Sequence, residues 1–521
     1  MSFKKTLNLD TLSYSQLKRE VNLAMVPNED GLGPSTALLY VARGIARIAQ
    51  ENNIRLNFIV QNKAKADFNV SAYGELGSSV MGVFFENEDS VIYLKKDGEK
   101  VLPMETAEGL LDYLWRSREY GKLQELNLKP SQKRPVPDAV ICMGTPVAHV
   151  TSQSEKLSVP VIEIFDHSWP LSLEEIFETG KHQFPDDWRT RRIKDVNVAE
   201  DRFEKKQWPR DWAGLRVDEV ICEKILPKIQ QHDEMVDHVF MFPEPLAPGE
   251  FWCKWQSLAP GKVYRIRGVM GGWPDGQGAG QRETVRAEAR KELASKLNWK
   301  SKDVESAKIM LVQGGGTPTW DRFLVHMLAQ CIDWSRYLQD TLFLFTEGAM
   351  KGAFNSENYD RASVERRGWK SFEDLKVAAN SSRTARLVSG TKKDFTDFQK
   401  FYLVSDLVFS RPGGITVQDA IACRTALVCA AEPGHWQTEK IRQHCLLHKI
   451  MRAVNFEAFQ AGGIGLVLDQ FGLTEDNINM VRIMGTIPNQ QENELGRDIL
   501  SIICENLKYS GSQPKKAEQG A

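Results

Sequence analysis

The chain has 521 residues, 42% hydrophobic and 26% charged, with a formal net charge of -2 and a pI near 6.6. That length exceeds what one hydrophobic core usually serves, so two large domains are expected. The near-neutral balance, with no long basic stripe and no apolar run of membrane-spanning length, argues against a nucleic-acid binder and a membrane-spanning protein.

The first residues, Met1-Ser-Phe-Lys-Lys, carry positive charge but no apolar core, so no signal peptide is expected. The eight cysteines are scattered and form no CxxC pair. A reduced, cytoplasmic protein is the economical expectation. An apolar run, Val21 to Val26, predicts a first strand, followed by the glycine-bearing stretch Pro27 to Pro34. Apolar residues at Leu38, Leu39, Val41, Ala42, Ile45 and Ile48 then predict a helix from Ser35, and Leu56 to Val60 the next strand. This is an α/β unit. Asp138 to Gly144 and Val159 to Phe165 read as further strands, and Val239 to Pro243 as the strand closing the first sheet. Between them, about 170–216, lies a charged stretch with Trp188, Trp208 and Trp212. It is too long for a plain loop and reads either as a small helical excursion or as a functional lid.

The stretch Gly268 to Gly280 has the composition of a linker. Beyond it, Arg282 to Leu297 predicts a helix, and Lys308 to Gln313 a strand entering Gly314-Gly315-Gly316. Phe323 to Leu338 predicts a helix and Thr341 to Phe345 a strand; Lys351 to Arg383 reads as a polar surface insertion. Leu403 to Phe409 reads as one buried strand, Ile415 to Ala422 as a helix, and Ala426 to Ala431 as another apolar run. A last helix is expected near Glu494 to Leu507, and a disordered tail after it. The expected division is an N-terminal Rossmann-like domain over 1–267, a linker and entry helix over 268–306, and a C-terminal Rossmann-like domain over 307–490. A helix over 491–510, packing back on the N-terminal domain, and a tail over 511–521 complete it.

The segment Ser410-Arg-Pro-Gly-Gly-Ile-Thr-Val-Gln-Asp419 carries the most chemistry. A strand that ends in two glycines and turns into a helix presents free backbone N–H groups at a helix N-terminus, which suits phosphate. Arg411, Gly413, Gly414, Ile415 and Thr416 are the expected binding residues, and Asp419, a turn farther on, is placed to take ribose hydroxyls. Gly314, Gly315, Gly316 and Thr317 form a second phosphate-type loop in the same half. In the N-terminal half, Gly31, Gly33 and Ser35 line a comparable turn, also readable as a purely structural one. Asp166-His167, after a predicted strand, and Glu29-Asp30, beside that turn, are candidate bases. His444 and His448 share a helical face, but no further ligands accompany them, and surface histidines are the better reading. No metal site is expected.

The stretch Tyr402-Leu-Val-Ser-Asp-Leu-Val-Phe-Ser-Arg-Pro-Gly-Gly-Ile-Thr-Val-Gln-Asp419, with Glu432-Pro-Gly-His-Trp-Gln437 after it, resembles the donor half of GT-B glycosyltransferases. The likeness is to the peptidoglycan N-acetylglucosaminyltransferase and the UDP-glycosyltransferase group. It is specific over Asp394 to Gln443, looser over Lys308 to Val454 and weak in the N-terminal half. It implies two Rossmann-like domains facing across a cleft, with the nucleotide-sugar held by the second. It adds His435, Trp436 and Gln437 to the donor site and makes the Gly31–Ser35 turn an acceptor-side loop, with the Trp-rich stretch as an acceptor lid. The family's usual histidine in that loop is replaced here by Pro34 or Ser35. The Gly-x-Pro that usually follows the donor helix is Arg424-Thr425-Ala426.

The resemblance therefore implies a cytoplasmic, metal-independent, inverting hexosyltransferase with no cofactor, using a nucleotide-diphosphate sugar, most simply a UDP-sugar, and an unidentified acceptor. The missing histidine keeps two alternatives open. One is a nucleotide-sugar 2-epimerase or hydrolase on the same fold. The other is a non-catalytic nucleotide-binding module.

Overall fold

The computed structural model describes residues 20–27, 33–61, 80–86, 136–143, 159–165, 237–243, 263–270, 279–299, 301–314, 320–338, 340–356, 361–388, 399–430, 436–472, 474–487, 489–490 and 494–503, with short pieces between 73 and 101 and between 215 and 257. These residues build two separate parallel sheets with helices around them, an α/β architecture as expected.

The first sheet contains β1 (Glu20–Pro27), β2 (Arg55–Gln61) and β3 (Val80–Glu86). A short antiparallel pair, β4 (Lys96–Asp97) and β5 (Lys100–Val101), stands apart from it. The sheet continues with β6 (Ala139–Met143), β7 (Val161–Phe165), β8 (His238–Met241) and β9 (Val263–Arg265). Its order is β3-β2-β1-β6-β7-β8-β9. The expected closing strand, β8, is therefore interior, and β9 forms that edge. The near-continuous apolar run of β1 follows from burial on both faces. Val21, Leu23 and Met25 pack against α1 (Gly33–Glu51) and the main core, whereas Ala24 and Val26 join Ile59, Val140, Cys142 and Val161 on the other face. All six apolar positions that predict α1 are buried.

Residues 268–280, expected as a free linker, begin in regular pairing. There β10 (Val269–Met270) runs parallel to β17 (Asn489–Gln490). Helices α2 (Ala279–Lys296) and α3 (Ser301–Ser306) lead into the second sheet. Its strands are β11 (Lys308–Gln313), β12 (Thr341–Thr346), β13 (Ala385–Val388), β14 (Leu407–Ser410), β15 (Ala426–Cys429) and β16 (Arg452–Ala453). They lie in the order β13-β12-β11-β14-β15-β16. Helix α4 (Asp321–Asp333) links β11 to β12 and stops five residues before the expected Leu338, in turns.

Two expectations fail here for the same reason: local polarity and apolarity misreport tertiary placement. Lys351 to Arg383 is no surface insertion. Helices α5 (Glu347–Ser356), α6 (Arg361–Arg366) and α7 (Phe372–Ser381) occupy the crossover from β12 to β13, and Leu375 and Ala379 of α7 are buried. Nor is Leu403 to Phe409 one strand. Helix α8 (Gln399–Val404) ends before β14 starts, and the apolar residues of both are buried, so the run spans a helix end and a strand.

Helix α9 (Gly414–Cys423) joins β14 to β15, and α10 (Trp436–Leu447) joins β15 to β16. Then come α11 (Phe456–Gly462), α12 (Ile464–Leu468), α13 (Thr474–Met484) and α14, residues 494–503. The core of the second unit contains a stack in which the rings of Trp320, Phe409 and Phe459 lie 5.0–5.2 Å apart. Among the described residues six cysteines are free, five of them buried; burial pushes the Cys331 and Cys445 thiols up.

Three arginines at helical spacing on α2 fix the ends of α8 and α9. Arg282 donates to the carbonyls of Cys423 and Arg424, at 3.0 and 2.6 Å. Arg286 and Arg290 donate to the carbonyls of Ser405 and Val404 and to opposite oxygens of Asp406, at 2.5 and 2.8 Å. Cations at helix C-termini are electrostatically favourable. Asp406 also accepts from the Ile309 N–H at 2.8 Å, which pins β14 to β11.

Candidate functional site

In the second sheet the chain leaves β11 in one direction and β14 in the other. These adjacent strands are paired to their ends, with Gln313 opposite Ser410. In an open parallel sheet, the crevice beyond the C-terminal ends of two such strands is where ligands bind. Both glycine turns begin there: Gly314 follows β11, and Arg411-Pro412-Gly413 follows β14. A hydrogen bond of 2.8 Å from Ser410 Oγ to the Gln313 carbonyl ties the two turns together.

Helix α9 starts at this crevice. Gly413, its N-cap, is extended (φ -84°, ψ 148°) and offers no side-chain cap. The first helical bond runs from Val417 N–H to the Gly413 carbonyl at 3.0 Å. The N–H groups of Gly414, Ile415 and Thr416 thus precede the helical ladder and carry the positive end of its dipole. Arg411, buried, adds a guanidinium to the same turn. Trp436 and Gln437 lie in the first turn of α10, after the next strand. The arrangement suits an anion with several oxygens.

The two glycines at the strand ends differ in kind. A Cβ on Gly314 would meet Leu324 Cδ1 at 2.5 Å, so close packing on α4 accounts for that glycine. Among the described residues a Cβ on Gly413 would meet only Thr416 Oγ1, at 3.6 Å, so these leave room there.

Asp419 makes contacts that its position in the sequence does not predict. Its carboxylate is 3% exposed. Its Oδ1 accepts from Tyr40 OH of α1 at 2.9 Å and from Gln399 Nε2 of α8 at 2.7 Å. Side chains of two neighbouring helices thus occupy that oxygen in this structure. Thr416 likewise turns its hydroxyl inward, to Tyr402. Tyr402 donates to Gln313 Oε1 at 2.5 Å, and burial followed by the nearby Asp419 charge pushes its phenol well up. The aromatic and the acid of the Tyr402–Asp406 pattern are therefore anchors of the fold. Sequence reasoning misses Tyr40, which sits among apolar residues and reads as core, and Gln399, which lies in the mixed stretch Asp397 to Phe401 with no motif of its own.

Gly33 opens α1, and the Ser35 hydroxyl in its first turn is buried without a hydrogen-bond partner among the described residues. Gln418, beside Asp419, is fully buried, and neither of its amide atoms has a partner among the described residues. Glu29, Asp30, Gly31, Asp166, His167, Gly315, Gly316, Thr317, His435 and the 170–216 stretch lie outside the described residues. His444 and His448 share one face of α10, their ring centroids 4.6 Å apart. Among the described residues no group of three side chains could hold a metal ion, and no helix is long and apolar enough to cross a membrane.

No protein-family model and no curated protein matches the chain. Among solved structures it is similar to Phytolacca americana UGT2 complexed with UDP-2-fluoro-glucose and pterostilbene, at 14% identity over 93% of this chain and 99% of that one, with a TM-score of 0.47. It is also similar to CalG4, the calicheamicin glycosyltransferase, at 11% identity over 95% and 99% of the two chains, with a TM-score of 0.49. Acinetobacter baumannii MurG follows at 11% identity over 93% and 99%, with a TM-score of 0.41. This is the group that the 402–437 stretch resembles. With each of these TM-scores below 0.5, the reading of the site rests on its own geometry.

Proposed function

We propose that the protein is a glycosyltransferase that takes a sugar from a nucleotide-diphosphate sugar, most simply a UDP-sugar, with inversion and without a metal ion. The observation that carries this reading is the crevice between β11 and β14, where Gly314, Arg411 and the uncapped N-terminus of α9 follow the paired strand ends Gln313 and Ser410. Backbone amides there would bind the diphosphate and stabilise the charge it gains on leaving. The resemblance of the 402–437 stretch to the UDP-glycosyltransferase group makes UDP the first nucleotide to test.

In the proposed reaction an acceptor hydroxyl attacks the anomeric carbon from the face opposite the diphosphate. The new C–O bond forms as the bond to the diphosphate breaks, and the hydroxyl proton passes to a base. Asp166, His167, Glu29 and Asp30 are the proposed candidates, since they follow β7 and β1 of the other sheet in sequence. Gly33 and Ser35 begin the helix on that acceptor side. Gly315, Gly316, Thr317, His435, Trp436 and Gln437 are the further proposed donor contacts. Asp419 is not among them.

A thermal-shift screen with UDP, GDP, ADP, CDP and dTDP tests the nucleotide. A ligand at 100 times its dissociation constant adds about 2.7 kcal/mol of stability. No shift with any of the five would remove the reading. Incubation with UDP-sugars alone then separates transfer from epimerisation or hydrolysis, which need no acceptor, and a chelator should leave turnover unchanged.

A further inference from the structure

The carboxylate of Asp419 joins elements from both halves of the chain. Tyr40, on α1, and Gln399, on α8, both donate to its Oδ1, at 2.9 and 2.7 Å. All three side chains are buried. Tyr40 lies seven residues beyond Gly33, the start of α1, and Asp419 five beyond Gly414, the start of α9. At roughly 1.5 Å per residue, the bond sits within about two helical turns of each glycine turn. The neighbouring hydrogen bonds continue the connection. Tyr402, on α8 with Gln399, bonds to Thr416 of α9 and to Gln313 at the end of β11. Gln313 in turn accepts from Ser410 at the end of β14.

We propose that Tyr40, Asp419 and Gln399 form a positioning link that holds the nucleotide-side helix α9 against α1, and so fixes the spacing between the two glycine turns. Asp419 then acts through Tyr40, and its carboxylate is not a ligand of the nucleotide. Three features support this. Both donors are neutral and buried, and they give Oδ1 hydrogen bonds that water does not supply. The bond spans 379 positions and ties α1 of the first unit to α9 of the second. The helices it joins each begin at a candidate ligand turn. The role in turnover rests on the proposed glycosyl transfer; the link itself does not.

The test uses the full chain with Tyr40→Phe, Asp419→Asn and the double variant. Tyr40→Phe removes one hydroxyl and keeps the ring. Hydrogen–deuterium exchange should rise at least tenfold in residues 33–51 and 414–423 of Tyr40→Phe, with 341–346 unchanged. UDP, as the probe, should bind Tyr40→Phe within twofold of the parent. The two substitutions should be non-additive, the double variant exchanging no faster than the worse single. With a UDP-sugar and an acceptor, kcat should fall while KM for the donor stays within twofold. Unchanged exchange in Tyr40→Phe overturns the link. So does a tenfold loss of UDP affinity in Asp419→Asn with no effect of Tyr40→Phe, which would make the carboxylate a nucleotide ligand. If the parent protein binds no UDP, the functional reading fails, while the exchange data still decide the link.

Discussion

Gly496 of α14 lies directly against the backbone of Gly44 in α1: a Cβ at 496 would sit 2.3 Å from the Gly44 carbonyl carbon and 2.4 Å from the Ile45 nitrogen. Two helices meet there at a pair of glycines, and backbone cannot swing aside as a side chain can. Residues 495, 499, 500, 502 and 503 around the crossing are buried apolar side chains. Overpacking a tight contact typically costs about 1–3 kcal/mol. Gly496→Ala should therefore lower the midpoint of urea unfolding, and Gly496→Val should lower it further. Equal midpoints for all three proteins would show that α14 does not rest on α1 in solution.

Asp406 should be a sensitive carboxylate of the second unit. It takes two arginines and a backbone N–H, and desolvation already lowers the Arg290 pKa. Asp406→Ala would leave both guanidiniums without their counter-charge. The carboxylate is about one-third exposed, so solvent screens part of the loss. A destabilisation of about 1–3 kcal/mol is expected by denaturant unfolding. A change under about 0.5 kcal/mol would mean that the cluster contributes nothing measurable.

Much of the second unit is legible in the sequence because its strands are fully buried. Residues 308–313, 341–346 and 426–429 are short apolar runs between turns, and each is a strand. The glycine turn at 411–414 is legible too, since strand, two glycines and helix follow one another in order. Other features depend on contacts that local pattern does not carry. Leu403 to Phe409 is equally apolar in its helical and its strand portion. Residues 351–383 are polar because their helices expose one side. Strand β9, at one edge of the first sheet, is only three residues long, too short to show a pattern. Asp419 reads as a ribose acceptor from its position alone; its partner Tyr40 lies 379 residues away.

Asp498, on α14, gives the protein a defined pH response. Burial raises its pKa from 3.8 to about 6, against the opposing pull of Arg267. A raised carboxyl pKa means that the folded state binds the proton more tightly than the unfolded state. Stability then falls as pH rises from about 4 to about 6, and stays lower above that. Two pKa units correspond to roughly 3 kcal/mol, and partial exposure reduces this to about 1–2 kcal/mol. Asp498→Asn should stabilise the protein by that amount at pH 7.5 and by almost nothing at pH 4. A variant equally stabilised at both values would point to packing in place of ionisation.

Gly413 and Gly314 should respond oppositely to alanine. Gly413 has room for a Cβ and a backbone angle open to any residue, so Gly413→Ala should change stability by less than about 0.5 kcal/mol. If its glycine serves close approach of a diphosphate, UDP affinity should still fall about tenfold, equal to about 1.4 kcal/mol. Gly314→Ala should instead destabilise by about 1 kcal/mol or more, because Leu324 must move. Calorimetry with UDP and thermal unfolding of both variants would check the pair. Intact affinity in Gly413→Ala would remove that turn from the nucleotide site.

Gln418 offers the last test, since its cost and its potential use have opposite signs. Its side chain is fully buried and neither amide atom has a partner among the described residues. A buried polar group in that condition costs about 1–3 kcal/mol. Methionine has nearly the same length and no amide, so Gln418→Met keeps the volume and removes the penalty. The ligand-free variant should be more stable than the parent by about 1–2 kcal/mol. UDP affinity should not change if the amide has no part in binding. A variant less stable than its parent would show that the amide is hydrogen-bonded in solution. A variant that is more stable but binds UDP at least tenfold more weakly would make Gln418 a group held unsatisfied until the nucleotide arrives.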